Sequence, residues 1–133
     1  MHRQVHTTAT EACLPVLDLV HLSRQTDGDL ALQRELLGLF RQRSPELIVQ
    51  MGASTPDLTY GNAVSDLIHQ LKGSALAIGA FQLAAAAEAA EHVFARGADA
   101  GPNRQKSGEA ALAALADMLA QTLALIDMHM ATL

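Results

Sequence analysis

Residues 62–78 read Asn62-Ala63-Val64-Ser65-Asp66-Leu67-Ile68-His69-Gln70-Leu71-Lys72-Gly73-Ser74-Ala75-Leu76-Ala77-Ile78, and Gly79 follows. Val64, Leu67, Ile68, Leu71, Ala75 and Ile78 recur at spacings of three and four, which gathers them into one stripe of an α-helix. The stripe predicts a helix from about Asn62 with its apolar side turned into a core. Gly79 is the natural C-terminal stop, because glycine takes the left-handed conformation that ends helices without steric cost. His69, Lys72, Gly73 and Leu76 fall on another face of the same helix, with Gln70 beside them.

The same period extends outward. Downstream, residues 81–95 form an alanine-rich helix ended by Gly97. A loop over 97–103 contains Gly101-Pro102, and a last helix runs from about Arg104 to Met130 on a stripe of Leu112, Leu115, Leu119, Leu123, Ile126 and Met130. Upstream, Thr26-Asp27-Gly28-Asp29 reads as a turn with an N-cap at Asp27 or Asp29, and Leu32, Leu36, Phe40, Leu47 and Met51 continue as the first long helix. Pro45 lies inside it, so a kink is expected there, or a break with Ser44 as a new cap. Residues 52–61 carry Ser54, Thr55, Pro56 and Gly61 and must turn, although Thr55-Pro56-Asp57 could itself open a helix.

Before these helices stands a short apolar segment over 14–22, broken at its start by Pro15, and before that a polar flexible leader, 1–13. Four amphipathic helices on short connections imply an all-α, antiparallel up-down-up-down four-helix bundle, with the N-terminal segment as a short capping helix. Residues 14–133 are expected to form a single domain.

Composition agrees with that class and excludes others. Half of the 133 residues are apolar and only 3% are aromatic, which favours helices packing through alanine and leucine. A net charge of −5 with nine scattered Lys and Arg argues against a nucleic-acid partner. The single cysteine, Cys13, excludes an intramolecular disulfide, argues against a cysteine-based zinc site, and fits a reducing cytoplasm. The first residues lack the apolar run of a signal peptide, and no stretch approaches ~20 uncharged apolar residues, so no membrane partner is expected.

The His69 face has the makings of a phosphoryl site. A neutral imidazole is a competent nucleophile toward phosphorus, provided its tautomer is fixed by a carboxylate or carbonyl on the other ring nitrogen. A phosphoryl group adds roughly two negative charges, and Lys72, one turn along, is placed to offset them. Glycine at 73 costs ~1 kcal/mol relative to alanine in a helix interior, which points to an access or packing need. A side chain there is expected to crowd the ring, whereas glycine lets a partner come close. The other histidines, at 2, 6, 21, 92 and 129, read as surface or half-buried residues. Glu88 and His92 are spaced by four and lack the paired Glu-x-x-His motifs of a metal-carboxylate bundle, so no metal site is expected.

His69, Leu71, Lys72, Gly73, Ser74 and Ala75 match the His-x-Leu-Lys-Gly-Ser-small pattern of the histidine-containing phosphotransfer (HPt) domain family, which the chain therefore resembles. Ile78-Gly79-Ala80, Leu83 and Glu91 match further along, and Gly28-Asp29 with Leu36-Leu37 and Phe40 resemble the opening of the family's first long helix. The motif-bearing core spans 27–97. Ala77 and Gln82 depart from the asparagine and basic residue often seen there, which bears on partner identity.

The resemblance implies a phosphorelay intermediate. His69 would accept a phosphoryl group from a receiver-domain phospho-aspartate and transfer it to an aspartate of another response regulator, with Lys72 as electrostatic stabiliser and Gly73 as access residue. Glu91 is the candidate to hold the imidazole, and Glu88, one turn earlier, is the competitor. Leu76 and Gln70 are candidate docking residues, although a leucine in a bundle is more commonly core. The partners implied are response-regulator receiver domains and a hybrid histidine kinase, with the chain itself a monomer. The chain has no Gly-x-x-x-x-Gly-Lys-Ser/Thr loop and no magnesium-holding carboxylate cluster, so a carrier is expected rather than an enzyme. It needs no cofactor of its own, and magnesium would be supplied by the receiver. The competing reading is a non-transferring docking or inhibitor module for a receiver domain or histidine kinase.

Overall fold

The computed structural model of the chain describes residues 14–54, 62–95 and 104–133. The leader over 1–13, most of the turn over 52–61 and the loop over 97–103 lie outside the described residues, as does the helix stop at Gly97. Five helices follow one another: α1 (Leu19–Gln25), α2 (Leu30–Ser54), α3 (Asn62–Ile78), α4 (Phe81–Ala95) and α5 (Arg104–Met130). Among the described residues there is no strand. The fold is an all-helical bundle in which α2 packs on α3, α3 on α4, α4 on α5 and α5 back on α2, while α1 lies against α3.

Each helix end has a chemical reason. Asp18 caps α1, its Oδ1 accepting from the His21 amide at 3.0 Å, and the buried Leu22 is its anchor in the core. Asp27 and Gly28 then both take positive φ, and the Gly28 amide closes the turn on the Ser23 carbonyl at 2.9 Å. Of the two cap candidates for α2, it is Asp29 whose Oδ1 accepts from the Leu32 amide, at 3.1 Å.

Helix α2 runs unbroken through Pro45. Ser44 is not a new cap: it is buried, and its hydroxyl donates to the Phe40 carbonyl at 2.7 Å inside a continuing helix. The buried positions of α2 are Gln33, Leu37, Phe40, Ser44, Leu47 and Met51, while Leu32 and Leu36 are only half-buried. The inward face is therefore turned by about one residue from the expected one in the first two turns.

The stripe of α3 is buried as read, with Val64, Ile68, Leu71, Ala75 and Ile78 in the core and Leu67 packed at its edge. Gly79 ends the helix at φ +86°, with its amide on the Leu76 carbonyl at 3.3 Å and the Ala80 amide on the Ala75 carbonyl at 2.8 Å. These paired bonds form the glycine-stopped C-terminal motif. The same turn is tied to the N-terminal segment. The Asp18 amide donates to the Gly79 carbonyl at 2.8 Å, the Gln82 amide to the Pro15 carbonyl at 3.2 Å, and the Gln82 side chain to the Leu14 carbonyl.

In α4, Leu83, Ala84, Ala87, Ala90 and Phe94 face the core. Small side chains there and at Ala75 let α3 and α4 approach closely. In α5, Leu115, Leu119, Thr122 and Ile126 are buried, and the Thr122 hydroxyl is satisfied by the Met118 carbonyl at 2.8 Å. Lys106–Met130 is long enough to cross a membrane and holds an 18-residue window with a mean hydropathy of 1.5, although Asp117 and Asp127 keep it from being an uncharged apolar run. Alanine and leucine produce that value, and in the bundle one face of the helix packs on α2 and α4.

Candidate functional site

Helix α3 presents His69 and Lys72 on the side away from its buried Ile68 and Leu71, and α4 presents Glu88 and Glu91 opposite them. The His69 side chain is 71% exposed. Its Nδ1 lies 3.2 Å from Glu91 Oε2. A carboxylate can only accept a hydrogen bond, so Nδ1 carries a proton, and in the neutral imidazole this tautomer leaves Nε2 with its lone pair. The other oxygen of the same carboxylate, Oε1, receives the Lys72 ammonium at 2.9 Å, and Glu88 Oε1 lies 3.7 Å from the same nitrogen. One carboxylate thus bridges the imidazole and the ammonium, and of the two glutamates it is Glu91 that meets the ring.

Both charged partners respond. The hydrogen bond from Lys72, followed by the one from His69, holds the Glu91 carboxyl below its ordinary 4.5 against partial desolvation. The hydrogen bond to Glu91 likewise holds the Lys72 ammonium above its ordinary 10.5. A depressed carboxyl contributes stability above its unfolded pKa and loses it as pH falls through the folded value, whereas a raised ammonium contributes below its unfolded pKa and loses it on the alkaline side. The α3–α4 clamp is therefore expected to be constant between about pH 5 and 10 and to open below pH 4.5. Carbonyl-detected NMR of Glu91 should show its titration below that of an exposed glutamate, and Lys72→Ala should move it back up.

The structure decides between the two readings of Leu76 and corrects the expectation at Gly73. Leu76 is not core; it is 43% exposed. Gly73 is exposed, and a Cβ built on it would meet nothing within 4 Å, so a small side chain there does not crowd the imidazole. What glycine leaves is open surface next to the ring. Gln70 is exposed on the same side.

Two features of the site were not read from the sequence. One is the Lys72–Glu91 pair, which depends on the register of α3 against α4. The other is a shallow groove beside Lys72, lined by Leu14, Leu76, Phe81, Ala84, Ala85 and His92, which needs the N-terminal segment folded back on the α3–α4 turn. Its apolar spacing could have been suspected from Phe81 and Ala85 being one turn apart. Among the described residues, no group of three or more His, Cys, Asp or Glu could hold a metal ion.

The arrangement can do one kind of chemistry well. It offers an exposed, tautomer-fixed nucleophilic nitrogen, a cation within one turn, and an uncluttered approach. A family model described as Hpt domain matches residues 35–125. No curated protein and no solved structure matched the chain at a significant level.

Proposed function

From the premise that the chain belongs to the Hpt domain family, which carries phosphoryl groups in two-component signalling, we propose that it is a phosphorelay intermediate whose phosphorylated residue is His69. The observation that carries this reading is the exposed imidazole with Nδ1 held by Glu91 and Nε2 turned free. In the forward step, Nε2 attacks the phosphorus of a receiver's aspartyl phosphate. The N–P bond forms, the acyl P–O bond breaks, and the aspartate leaves as carboxylate. Glu91 keeps the Nδ1 proton and stabilises the positive charge that develops on the ring. In the second step the aspartate of another response regulator attacks the same phosphorus, and the imidazole leaves neutral.

Lys72 supplies the countercharge to the added phosphoryl group, and Gly73, Leu76 and Gln70 form the surface on which a receiver docks. Magnesium belongs to the receiver, so the chain contributes position and charge rather than a metal. The sequential packing of α2 to α5 supports an antiparallel up-down-up-down bundle, and the backbone ties of Asp18 and Pro15 to the α3–α4 turn support a capping role for α1. A monomer in the cytoplasm is the expected working form.

The test is a phosphotransfer profile against purified phosphorylated receiver domains. At least one receiver is expected to lose its label to this chain as acid-labile, base-stable phosphate. Glu91→Ala should slow that transfer by about 3- to 10-fold, the scale of one charge-assisted hydrogen bond at a partly exposed site. Tight binding to receivers with no movement of phosphate would instead favour a docking or inhibitor module.

A further inference from the structure

The Lys72 ammonium sits between two carboxylates of α4, at 2.9 Å from Glu91 and 3.7 Å from Glu88. The two glutamates are not equivalent. Glu91 is also committed to the imidazole, and its side chain is 25% exposed, whereas Glu88 is 63% exposed and is paired with Lys72. The contacts also fix a direction. His69 meets Glu91 alone, whereas Lys72, one turn along α3, shares Glu91 and also reaches back to Glu88, as in an antiparallel pair of helices with Glu88 one turn farther from His69.

A phosphoryl group on Nε2 would bring roughly two negative charges to the opposite side of the same ammonium. Three anionic groups then compete for one cation. Any share of Lys72 held by Glu88 is a share withheld from the phosphoryl group, and like charges gathered around a single ammonium disfavour the doubly charged adduct.

Resting on the proposed role of His69, we propose that Glu88 is a positioning residue that draws Lys72 away from the phosphoryl position and so lowers the occupancy of the phosphorylated form. Its effect is to keep the carried group labile, ready to leave for an acceptor rather than to be stored. Glu88 acts through Lys72, not by touching the reacting atoms.

The experiment uses the full chain and phosphoramidate as the donor. Nε2 attacks its phosphorus, the P–N bond breaks, and ammonia leaves, so no partner protein is needed. At pH 8, in a fixed mixture of phosphoramidate and ammonia at low ionic strength, the plateau ratio of phosphorylated to free His69 is read by phosphorus NMR. Glu88→Gln is expected to raise that ratio by about 2- to 5-fold, the range of a single exposed ion pair. In a Lys72→Ala background the same change should have an effect within about 1.5-fold, because the double-mutant cycle removes the residue through which Glu88 acts.

An unchanged plateau in Glu88→Gln, or an equal gain with and without Lys72, overturns the proposal while leaving His69 as the carrier. Failure of the unmodified chain to label at His69 at all overturns both readings. Far-UV circular dichroism of each variant confirms that the bundle is intact, as expected for a substitution at so exposed a position.

Discussion

His69→Gln is expected to abolish phosphoryl acceptance while leaving the bundle folded. Glutamine has an amide in place of the imidazole, so no nitrogen with an available lone pair remains to attack phosphorus. The loss should therefore be complete to the background of the assay, for receiver donors and phosphoramidate alike. Stability should barely move. The His69 side chain is 71% exposed, and surface substitutions of this kind usually stay within about ±0.5 kcal/mol. The amide can also still donate to Glu91. The informative pair of measurements is phosphate incorporation and the thermal midpoint on the same sample. Labelling that survived the substitution would move the phosphorylated residue elsewhere.

Gly79→Ala is expected to be the most damaging small substitution in the fold. At φ +86° the residue is in the left-handed region, where a side chain costs ~1–2 kcal/mol. The added Cβ would also lie 2.7 Å from the Asp18 carbonyl oxygen and 3.3 Å from the Asp18 Cβ. That oxygen is backbone and cannot rotate away. Relief requires the N-terminal segment to lift from the α3–α4 turn, which lengthens the 2.8 Å bond from the Asp18 amide to the Gly79 carbonyl. The combined cost is about 2–4 kcal/mol, with a fall in thermal midpoint of roughly 8–15 °C. Denaturant melts should show it. Phosphoramidate labelling of His69 should survive at temperatures where the variant is folded, since the substituted turn lies away from the imidazole. By contrast Gly73→Ala, at a helical glycine with open space around it, should leave stability unchanged or slightly raised.

These two glycines show what could be read in advance. Gly79 was legible because a glycine directly after an apolar stripe has one dominant structural use, and α3, α4 and α5 span the residues expected, although in α5 Thr122 is buried while Leu112, Leu123 and Met130 are only partly so. Gly73 was legible as a departure from helix propensity but not in its reason. The absence of crowding depends on where the His69 ring points, and that is set by Glu91 on another helix.

The inward face of α2 was harder to read for a different cause. Ser44 is buried among apolar neighbours, and its polarity is cancelled by its own helix through the Phe40 carbonyl. Thr26 and Thr122 are satisfied the same way by Leu22 and Met118. A hydrophobicity pattern treats such residues as surface, although within the folded chain they behave as small core residues. Lys72 poses the same problem in reverse. Its position beside His69 follows from spacing alone. That its ammonium would be held by Glu91 and Glu88 follows only from the alignment of two helices, which no single helix encodes.

The exposure of His69 has a consequence for timing. Under the proposed function the carried group would stand in open water, with no lid or wall among the described residues around its N–P bond. The lifetime of the message would then be a race between hydrolysis and the next encounter with an acceptor. Raising the concentration of acceptor would shorten the wait and lose less of the signal, whereas a scarce acceptor would let the message fade before delivery. Fidelity in such a system rests on the supply of recipients as much as on the carrier.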